Sequence, residues 1–305
     1  MAVESWMDLS EGLAAIVEKA AGAVVRVDGG RRASGSGVAW SADAIVTASH
    51  RLDGEDEAEV GLASGDAAPA QVLGRDPTTD LAVLRVKGGG LAPPEWSDAP
   101  LRVGQLALAL TRPGRGPKAS LGLVSRLGDA FRTHAGGKLD RWVELDVGLH
   151  TGFSGGLVLD LAGRAVGLAT AGLVRGTPLV VPPATLRRVV KAILAHGGVR
   201  RGYLGVASFP VRLPPALEAA AGQRSGLLLT AIEEDSPAAR AGLSIGDVLL
   251  ALDGSAVGHM GDLLPVLEED RIGDVVVARV ARAGAVQELK LTIGARGGRA
   301  GGRAP

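Results

Sequence analysis

The sequence predicts a mainly β protein with more than one domain. Its 305 residues are about twice the usual length of one domain. Glycine is the outlier of the composition, with 46 residues scattered between short runs of Val, Ile and Leu. Short apolar runs separated by Gly, Asp or Pro turns are typical of strands in a sandwich or a barrel. The runs expected to form strands in the first 180 residues are Val24–Val27, Gly37–Trp40, Ala44–Thr47, Leu81–Val86, Leu106–Leu110, Trp142–Asp146, Gly155–Leu159 and Ala165–Ala169.

Two helices are expected to flank this β region. Ser10 suits the N-cap of a short helix that ends near Gly22, because a serine side chain can accept a hydrogen bond from the first turn. A second helix is predicted between Pro183 and Gly197, since the apolar side chains between residues 186 and 194 repeat at helical spacing. This second helix ends the first predicted domain.

The chain is expected to divide into residues 1–198, residues 199–294 and a tail, residues 295–305. The middle segment predicts strands and two short helices, one starting at Ser236-Pro237 and one near Gly261–Glu269. The tail contains only Gly, Ala, Arg and Pro, so it is expected to be disordered.

Composition excludes several classes of function. The 33 basic and 33 acidic residues cancel, so bulk charge gives no support for nucleic-acid or membrane-surface binding. Cysteine is absent, which excludes disulfides, a cysteine nucleophile and thiolate metal sites. No apolar run is long enough for a membrane span. The acidic N-terminal segment does not resemble a signal peptide, so the chain as written is expected to be cytoplasmic, or periplasmic or extracellular if an export signal lies upstream.

Three residues could carry hydrolytic chemistry. Ser154 lies in a glycine-rich turn, where flexible backbone allows close approach of a substrate. His50 ends an apolar strand, and Asp80 precedes another. Alone, each has an ordinary structural explanation: a flexible hairpin, a surface histidine and a turn aspartate. Their order, His then Asp then Ser, is that of the chymotrypsin-type arrangement, and the joint pattern favours a catalytic triad.

Further motifs accompany the triad pattern along the chain. They are Ser34-Gly35-Ser36-Gly37-Val38, Ile45-Val46-Thr47 followed by His50, Asp76-Pro77 followed by Asp80-Leu81-Ala82-Val83-Leu84, Leu101-Arg102-Val103-Gly104, Gly152 with Ser154-Gly155-Gly156, Arg201-Gly202-Tyr203-Leu204-Gly205-Val206, and Ser236-Pro237-Ala238-Ala239 with Ala241-Gly242-Leu243 and Gly246-Asp247-Val248. On these segments, from about residue 17 to residue 294, the sequence resembles the HtrA/Deg family of trypsin-like serine proteases with a C-terminal PDZ domain.

The resemblance implies a chymotrypsin-like double β-barrel followed by a PDZ domain. It assigns Ser154 as nucleophile, His50 as general base and then acid, and Asp80 as the group that orients His50. The backbone N–H groups of Gly152 and Ser154 would form the oxyanion hole. This chemistry implies no cofactor and no metal. In the PDZ-like segment, the loop Tyr203, Leu204, Gly205 and Val206 would bind a peptide C-terminus.

The sequence departs from the family pattern at the site. Phe153 stands where a small Asn or Asp is usual, and a bulky ring there could press on the oxyanion-hole peptide. Leu157 replaces the common Pro or Ala, and Thr111-Arg112-Pro113 replaces Gly-Asn-Pro. Two functions therefore stay open: a serine endopeptidase acting on unfolded or exposed polypeptides in protein quality control, and a catalytically silenced protease fold acting as a peptide-binding scaffold.

The resemblance also suggests a substrate preference and partners. The segments Leu168–Gly172 and Thr177–Val181 would line the pocket for the side chain before the scissile bond. They contain no aspartate, so a small aliphatic side chain is favoured over a basic one, although these residues could equally be ordinary barrel core. Expected partners are unfolded protein or peptide substrates and peptide C-termini, with a homotrimer as a further expectation through Trp6 and Met7.

Overall fold

The computed structural model describes residues 2–30 and 34–296. The chain divides after Val199 into two compact units. Across the described ranges, no helix combines the length and the apolar character needed to cross a bilayer.

Helix α1 (Ala2–Ala20) opens the first unit and continues into a 3-10 turn, Ala21–Ala23. The expectation that Ser10 caps a short helix is wrong, because Ser10 lies in the middle of α1. The residues upstream of Ser10 include Ala, Glu, Met and Leu, all good helix formers, and one serine within such a run does not stop a helix. Leu13, Ile16 and Val17 pack against the core of the unit.

The first barrel is closed and entirely antiparallel, with strand order β1-β2-β3-β6-β5-β4. Val25, Val27 and Ile45 are fully buried in its interior. Its strands are β1 (Val24–Asp28), β2 (Gly35–Ala39), β3 (Ala44–Ala48), β4 (Glu57–Gly61), β5 (Ala67–Asp76) and β6 (Leu81–Val86).

The second barrel is also closed, with strand order β11-β14-β13-β12-β7-β8 and a small hairpin, β9–β10, beside it. These two six-stranded barrels confirm the predicted double barrel. The strands of this half are β7 (Leu106–Thr111), β8 (Lys118–Gly128), β9 (Phe131–Arg132), β10 (Lys138–Leu139), β11 (Trp142–Asp146), β12 (Leu157–Leu159), β13 (Ala165–Thr170) and β14 (Leu179–Val181).

Helix α2 (Pro183–His196) joins the two barrels into one core. Gly197 ends it in a left-handed conformation, with φ 73°, as a C-terminal glycine does, and the predicted helix is confirmed. Its apolar face packs against strands of both barrels. The barrels are therefore held rigidly enough for side chains from each to meet between them.

The second unit is an antiparallel sheet of strand order β16-β17-β18-β20-β21, with β19 attached to β18. Strands β15 and β22 pair with each other, so the two ends of the unit lie side by side. Its elements are β15 (Arg201–Tyr203), β16 (Val206–Arg212), α3 (Pro215–Ala221), β17 (Ser225–Ile232), α4 (Pro237–Arg240), β18 (Val248–Leu252), β19 (Ser255–Ala256), β20 (Val275–Arg282), β21 (Ala285–Thr292) and β22 (Gly294–Arg296).

Of the two short helices predicted in this unit, the structure contains one. Ser236 caps α4 as predicted, since its side chain accepts a hydrogen bond from the Ala239 N–H. The helix predicted near Gly261–Glu269 is wrong: the segment holds a 3-10 turn, Met260–Leu263, and the start of a second, Glu269–Arg271, because Pro265 cannot donate the hydrogen bond that a continuing helix needs. Ala295 and Arg296, the first residues of the expected disordered tail, belong to β22, and residues 297–305 lie outside the described residues.

Candidate active site

Asp80 is placed by a tight turn between β5 and β6. The carboxylate of Asp76, at the end of β5, accepts hydrogen bonds from the Thr78 N–H at 3.2 Å and the Thr79 hydroxyl at 2.7 Å. The chain then enters β6 through Asp80 itself, which adopts a left-handed φ of 57°. Such a φ is uncommon outside glycine but tolerated by aspartate. The turn directs the Asp80 carboxylate away from solvent, and the residue is 4% exposed.

The Asp80 carboxylate receives hydrogen bonds from two elements besides its own turn. Nδ1 of His50 lies 2.9 Å from Oδ1 and 2.8 Å from Oδ2, and the His50 backbone N–H donates to Oδ1 at 3.0 Å. The hydroxyl of Thr170, at the end of β13, donates to Oδ2. A carboxylate beside Nδ1 selects the imidazole tautomer that carries its proton on Nδ1. His50 is thus presented with Nε2 as the ring nitrogen for proton transfer.

Ser154 lies in the loop between β11 and β12, which we call the nucleophile loop (residues 150–156). Gly155 adopts φ 87°, and a Cβ atom there would lie 1.8 Å from the Ser36 carbonyl oxygen. Only glycine fits a backbone that approaches another so closely. The Gly155 N–H in turn donates to the Ala169 carbonyl at 2.8 Å, so the loop is fixed against β2 on one side and β13 on the other.

The serine and the His–Asp pair converge on the segment that follows β13. The Ala171 N–H donates to Ser154 Oγ at 3.2 Å. In the next residue, a Cβ on Gly172 would lie 2.5 Å from both Asp80 Oδ2 and His50 Nδ1. One peptide unit therefore separates the group that contacts the serine hydroxyl from the residue that packs on the His–Asp pair. The Ser154 hydroxyl and the His50–Asp80 pair thus adjoin consecutive residues, Ala171 and Gly172.

Two backbone N–H groups in the nucleophile loop remain available. Among the described residues, the N–H groups of Gly152 and Ser154 donate to no protein acceptor. The carbonyl on the other side of each peptide unit is held: Thr151 O lies 2.8 Å from His150 Nδ1, and Phe153 O accepts from the Gly156 N–H at 3.1 Å. Because a trans peptide is planar, each fixed carbonyl also fixes the direction of its N–H. The arrangement suits an anionic oxygen between the two donors.

Phe153 points away from these donors. Its ring is 1% exposed and packs in the interior of the second barrel with Val158, Val166 and Val180. The edge of the ring also meets His150, with centroids 6.0 Å apart and planes at 88°. The expectation that Phe153 could press on the oxyanion-hole peptide is therefore wrong, since the ring is a core side chain.

Backbone hydrogen bonds to its carbonyl groups hold the predicted peptide-binding loop of the second unit in place. The Leu204 carbonyl accepts from the Ala238 N–H at 2.9 Å, and the Gly205 carbonyl accepts from the Glu233 N–H at 2.8 Å. Gly205 has φ 79°, and the Tyr203 hydroxyl donates to the Glu233 carboxylate. Within the described part of the chain, the N–H groups of Leu204 and Gly205 have no protein acceptor. Val206 begins β16, which forms one edge of the sheet.

Sequence reasoning missed several residues of this site. From the sequence, Thr170 is expected only to line a pocket, and neither His150 nor the Ser36 side chain is expected to have a role. A hydroxyl residue on a buried strand has no distinguishing sequence pattern. Its hydrogen-bond partner is determined only when the two barrels pack against each other. His150 offered a weak signal, as one of only 5 histidines, four residues before the predicted nucleophile.

Known families match both units. Residues 35–168 match the family described as "Trypsin-like peptidase domain", and residues 202–293 match "PDZ domain". The solved structure of the HtrA-type protease AlgW with a tripeptide is 30% identical, superposes with a TM-score of 0.68, and is matched over 95% of this chain and 99% of that chain. The chain belongs to the HtrA-type protease family.

Other HtrA-type relatives agree with this assignment. A probable periplasmic serine endoprotease, DegP-like, from Brucella suis biovar 1 (strain 1330) is 32% identical over 277 residues, which is 86% of this chain and 53% of the relative. The serine endoprotease DegS of Haemophilus influenzae (strain ATCC 51907 / DSM 11121 / KW20 / Rd) is 28% identical over 271 residues, covering 85% of this chain and 76% of the relative. The chain spans about half the length of the Brucella relative. The predicted PDZ domain is confirmed.

Proposed function

We propose that the chain is a serine endopeptidase that cleaves unfolded or exposed polypeptides through an acyl-enzyme, in protein quality control. The observation that supports this most is the His50–Asp80 pair, with Nδ1 and Oδ2 2.8 Å apart, which lies against Gly172, next to the residue whose N–H donates to the Ser154 hydroxyl. No metal or organic cofactor is required by the chemistry that these groups perform.

In the proposed acylation step, Ser154 Oγ attacks the carbonyl carbon of the scissile peptide while Nε2 of His50 takes the hydroxyl proton. The carbonyl oxygen becomes an oxyanion, which the N–H groups of Gly152 and Ser154 stabilise. When the C–N bond breaks, the protonated His50 gives its proton to the leaving amine. Water then attacks the acyl-enzyme with His50 again as the base, which releases the new carboxyl end and restores Ser154.

Asp80 is the proposed partner of the imidazolium that forms in each step. Its carboxylate accepts from the His50 Nδ1–H, which keeps the ring oriented. The Thr170 hydroxyl and the His50 backbone N–H also bind this carboxylate. These donors hold the buried charge in one position, so the imidazole does not rotate between the two proton transfers.

The pocket for the side chain before the scissile bond is proposed to lie along Leu168–Gly172 and Thr177–Val181. Neither segment carries an acidic residue, so a lysine or arginine side chain would be desolvated there without a partner. A small aliphatic side chain is the substrate feature that this lining favours.

The second unit is proposed to bind peptide C-termini. The N–H groups of Leu204 and Gly205 are available to a terminal carboxylate, and Tyr203 and Val206 flank them. A peptide would add as a strand along the edge of β16. The domain limits 1–198, 199–294 and 295–305 belong to this proposal, and the division into compact units after Val199 supports the first of them.

The silenced alternative has no support. It depended on Phe153 distorting the oxyanion hole, but that ring lies in the barrel interior. The relatives are named as serine endoproteases, and the sequence retains all three residues of the proposed triad.

The test is active-site labelling of the full chain and its Ser154→Ala variant with a fluorophosphonate, alongside digestion of unfolded casein. We expect labelling and cleavage by the wild type and neither by the variant, because only an activated serine reacts with this reagent. Binding of a fluorescent C-terminal peptide should be the same in both proteins. Absence of labelling in a folded wild type, with the C-terminal peptide added, would contradict the endopeptidase proposal.

The assembly and location are also proposals. Trp6 and Met7 on α1 are 71% and 64% exposed, which supports a homotrimer built through this helix, and sedimentation of a Trp6→Ala variant tests it. The Brucella relative is named periplasmic, so the expected cytoplasmic location has no support, whereas the periplasmic alternative agrees with that name. Fractionation of cells expressing the native gene would decide the location.

A further inference from the structure

Ser36, on β2, makes hydrogen bonds with its side chain and with its backbone next to the nucleophile loop. It is 0% exposed. Its hydroxyl donates to the Gly152 carbonyl at 2.7 Å and accepts from the Arg112 N–H at 2.9 Å. Its backbone N–H donates to the Ser154 carbonyl at 3.1 Å, and its carbonyl accepts from the Thr47 hydroxyl at 2.6 Å. One residue of the first barrel thus binds two carbonyls of the nucleophile loop.

The bond to the Gly152 carbonyl holds the peptide unit between the two oxyanion donors. That unit joins Gly152 to Phe153, and its other end is held because the Phe153 N–H donates to the His150 carbonyl at 3.0 Å. The donor N–H groups belong to the two peptide units that adjoin this central one, so the position of the central unit sets the point from which each of them begins. A central peptide bonded at both ends therefore keeps the Gly152 and Ser154 N–H groups aimed at one point.

Arg112 determines which way the Ser36 hydroxyl points. A serine hydroxyl has one proton and rotates to suit its surroundings. Because the Arg112 N–H occupies the acceptor side of Oγ, the hydroxyl proton is directed at the Gly152 carbonyl. Without that N–H, the hydroxyl could rotate and release the carbonyl.

The Arg112 backbone is itself anchored by its own side chain. The guanidinium donates to the carbonyls of Val24 at 2.7 Å, Arg115 at 2.7 Å and Ala21 at 2.8 Å. Arg112 is 3% exposed, and burial lowers the pKa of its guanidinium. In the described ranges it has no carboxylate partner. The side chain thus serves as a fixed fork of donors that joins β7 to the segment after α1.

We propose that Ser36, oriented by Arg112, is a positioning residue that holds the oxyanion hole in its productive geometry. The inference rests on the proposed endopeptidase function. Neither residue touches the reacting atoms, so both act through the Gly152–Phe153 peptide. The motif at residues 34–38 marked Ser36 only as part of a family pattern, and Arg112 departs from that pattern.

The first test is the Ser36→Ala variant of the full chain. We expect its kcat to fall about 10- to 100-fold, less than the 10²- to 10³-fold loss typical of deleting an oxyanion donor, with KM nearly unchanged. Affinity for a peptide boronic acid, whose tetrahedral adduct uses the same donors, should fall by a similar factor. The pH at which activity is half-maximal should stay the same, because the His50–Asp80 pair is untouched.

Thr185→Val is the matched control. The Thr185 hydroxyl is also buried and also makes two hydrogen bonds, donating to Asp140 Oδ2 at 2.6 Å and accepting from the Asp140 N–H at 3.0 Å. It lies on α2, away from the nucleophile loop. We expect a comparable loss of unfolding free energy in the two variants and a loss of kcat only in Ser36→Ala.

Arg112→Lys tests the second half of the proposal. A lysine keeps the charge but cannot bind three carbonyls in a planar fork, so kcat should fall about 3- to 30-fold with KM unchanged. Arg282→Lys is the control, since Arg282 also binds a backbone carbonyl, that of Gly242, but lies in the second unit. Activity on a short peptide should be unaffected in that control.

A readout that does not require activity separates this inference from the proposed function. Amide hydrogen exchange of the Arg112, Phe153 and Gly155 N–H groups, which are hydrogen-bonded in the wild type, should be at least tenfold faster in Ser36→Ala than in Thr185→Val. If the wild type is not labelled by the fluorophosphonate, the endopeptidase proposal fails while exchange still tests the positioning role. Exchange that matches the control, or equal kcat in Ser36→Ala and Thr185→Val, would overturn the inference about Ser36.

Discussion

The two proposed sites of this chain use the same chemical device in different settings. In the nucleophile loop, the N–H groups of Gly152 and Ser154 are available to an oxyanion that exists only during the reaction. In the second unit, those of Leu204 and Gly205 are available to a carboxylate that is permanently charged. Each pair includes a glycine with positive φ, 82° at Gly152 and 79° at Gly205.

The difference lies in how each pair of donors is held. The nucleophile loop is bonded to the buried side chain of Ser36 on β2, and within the loop the half-buried side chain of His150 contacts the Thr151 carbonyl. The loop Tyr203–Val206 is held through its carbonyls by the backbone N–H groups of Glu233 and Ala238. A transition state lasts too briefly to reshape its site, so its donors must be fixed beforehand, whereas a bound peptide contributes a whole strand of hydrogen bonds.

The substitution with the largest expected effect should lower catalysis and leave peptide binding at the second site unchanged. Asp80→Asn should lower kcat about 10⁴-fold, the size typical of losing the orienting carboxylate in this type of triad. Asparagine tolerates the left-handed backbone of Asp80, so the fold should persist. Binding of a C-terminal peptide should not change. The control is Asp98→Asn, on an exposed residue, and a loss below tenfold in Asp80→Asn would contradict the assigned role.

A pair of glycine substitutions tests whether both loops need close backbone approach. In Gly155→Ala the new Cβ would meet the Ser36 carbonyl at 1.8 Å, and in Gly205→Ala it would meet Ser236 Cβ at 2.2 Å. We expect the first to lower the labelling rate about a thousandfold, the scale of a lost oxyanion donor, and the second to weaken only peptide binding.

Gly104→Ala is the control for backbone strain alone, because Gly104 has φ 85° and no atom within 4 Å of its added Cβ. It should cost about 1–2 kcal/mol of unfolding free energy and leave both functions intact. If Gly205→Ala impaired labelling as strongly as Gly155→Ala, the two sites would not be separable.

Phe153→Asn should destabilise the first unit rather than improve its catalysis. Removing a buried aromatic ring costs at least about 3 kcal/mol, and the new amide would lack partners in an apolar interior. Urea unfolding measures the loss. Phe209→Asn is the matched control, since Phe209 is 67% exposed and its replacement should change stability by less than about 0.5 kcal/mol. Higher activity in a stable Phe153→Asn protein would contradict the core assignment.

The smallest expected effect is an acid sensitivity of the second unit. A hydrogen-bonded pair with Arg282, Nε to Oδ1 at 2.7 Å, holds the pKa of Asp247 below its usual range. The unfolded chain therefore binds this proton first on acidification, so the stabilisation is complete above about pH 5 and is lost as the pH falls through the folded-state pKa.

Calorimetry of the full chain at a series of pH values measures this stabilisation, which we expect to be about 1.5–3 kcal/mol, the usual size for hydrogen bonds to charged groups. Asp247→Asn should be less stable at pH 7 and should lose less stability between pH 5 and pH 3. Asp235→Asn, at an exposed position, should keep the wild-type slope. The same slope in Asp247→Asn as in the wild type would refute the assignment.

The sequence predicted the triad residues because each lies where a strand meets a turn, and their order along the chain restricts the type of site. It did not predict that Thr170 would bind Asp80 or that Ser36 would bind the nucleophile loop, because these contacts exist only after β2, β6 and β13 meet. The expectation for Phe153 is wrong because the direction of its side chain depends on the left-handed backbone of Gly152. Comparing residue types position by position does not reveal that backbone conformation.

Strands with continuous apolar runs were easier to predict than strands of mixed composition. Strands with apolar runs, such as β6 and β11, agree with their predicted limits. The long strands β5 and β8 were missed, since alternating exposed residues and prolines or glycines break up their apolar character. Ser10 and the segment around Pro265 show that capping signals predict helix ends only when the surrounding run agrees with them.

The pairing of β15 with β22 has a consequence for how this architecture can change. Tyr203 lies opposite Gly294, so the second unit begins and finishes at one place on its surface. A segment with adjoining termini can be removed, duplicated or circularly permuted without rethreading its sheet. The second unit therefore has the build of a transferable segment, one that can be gained or lost as a whole.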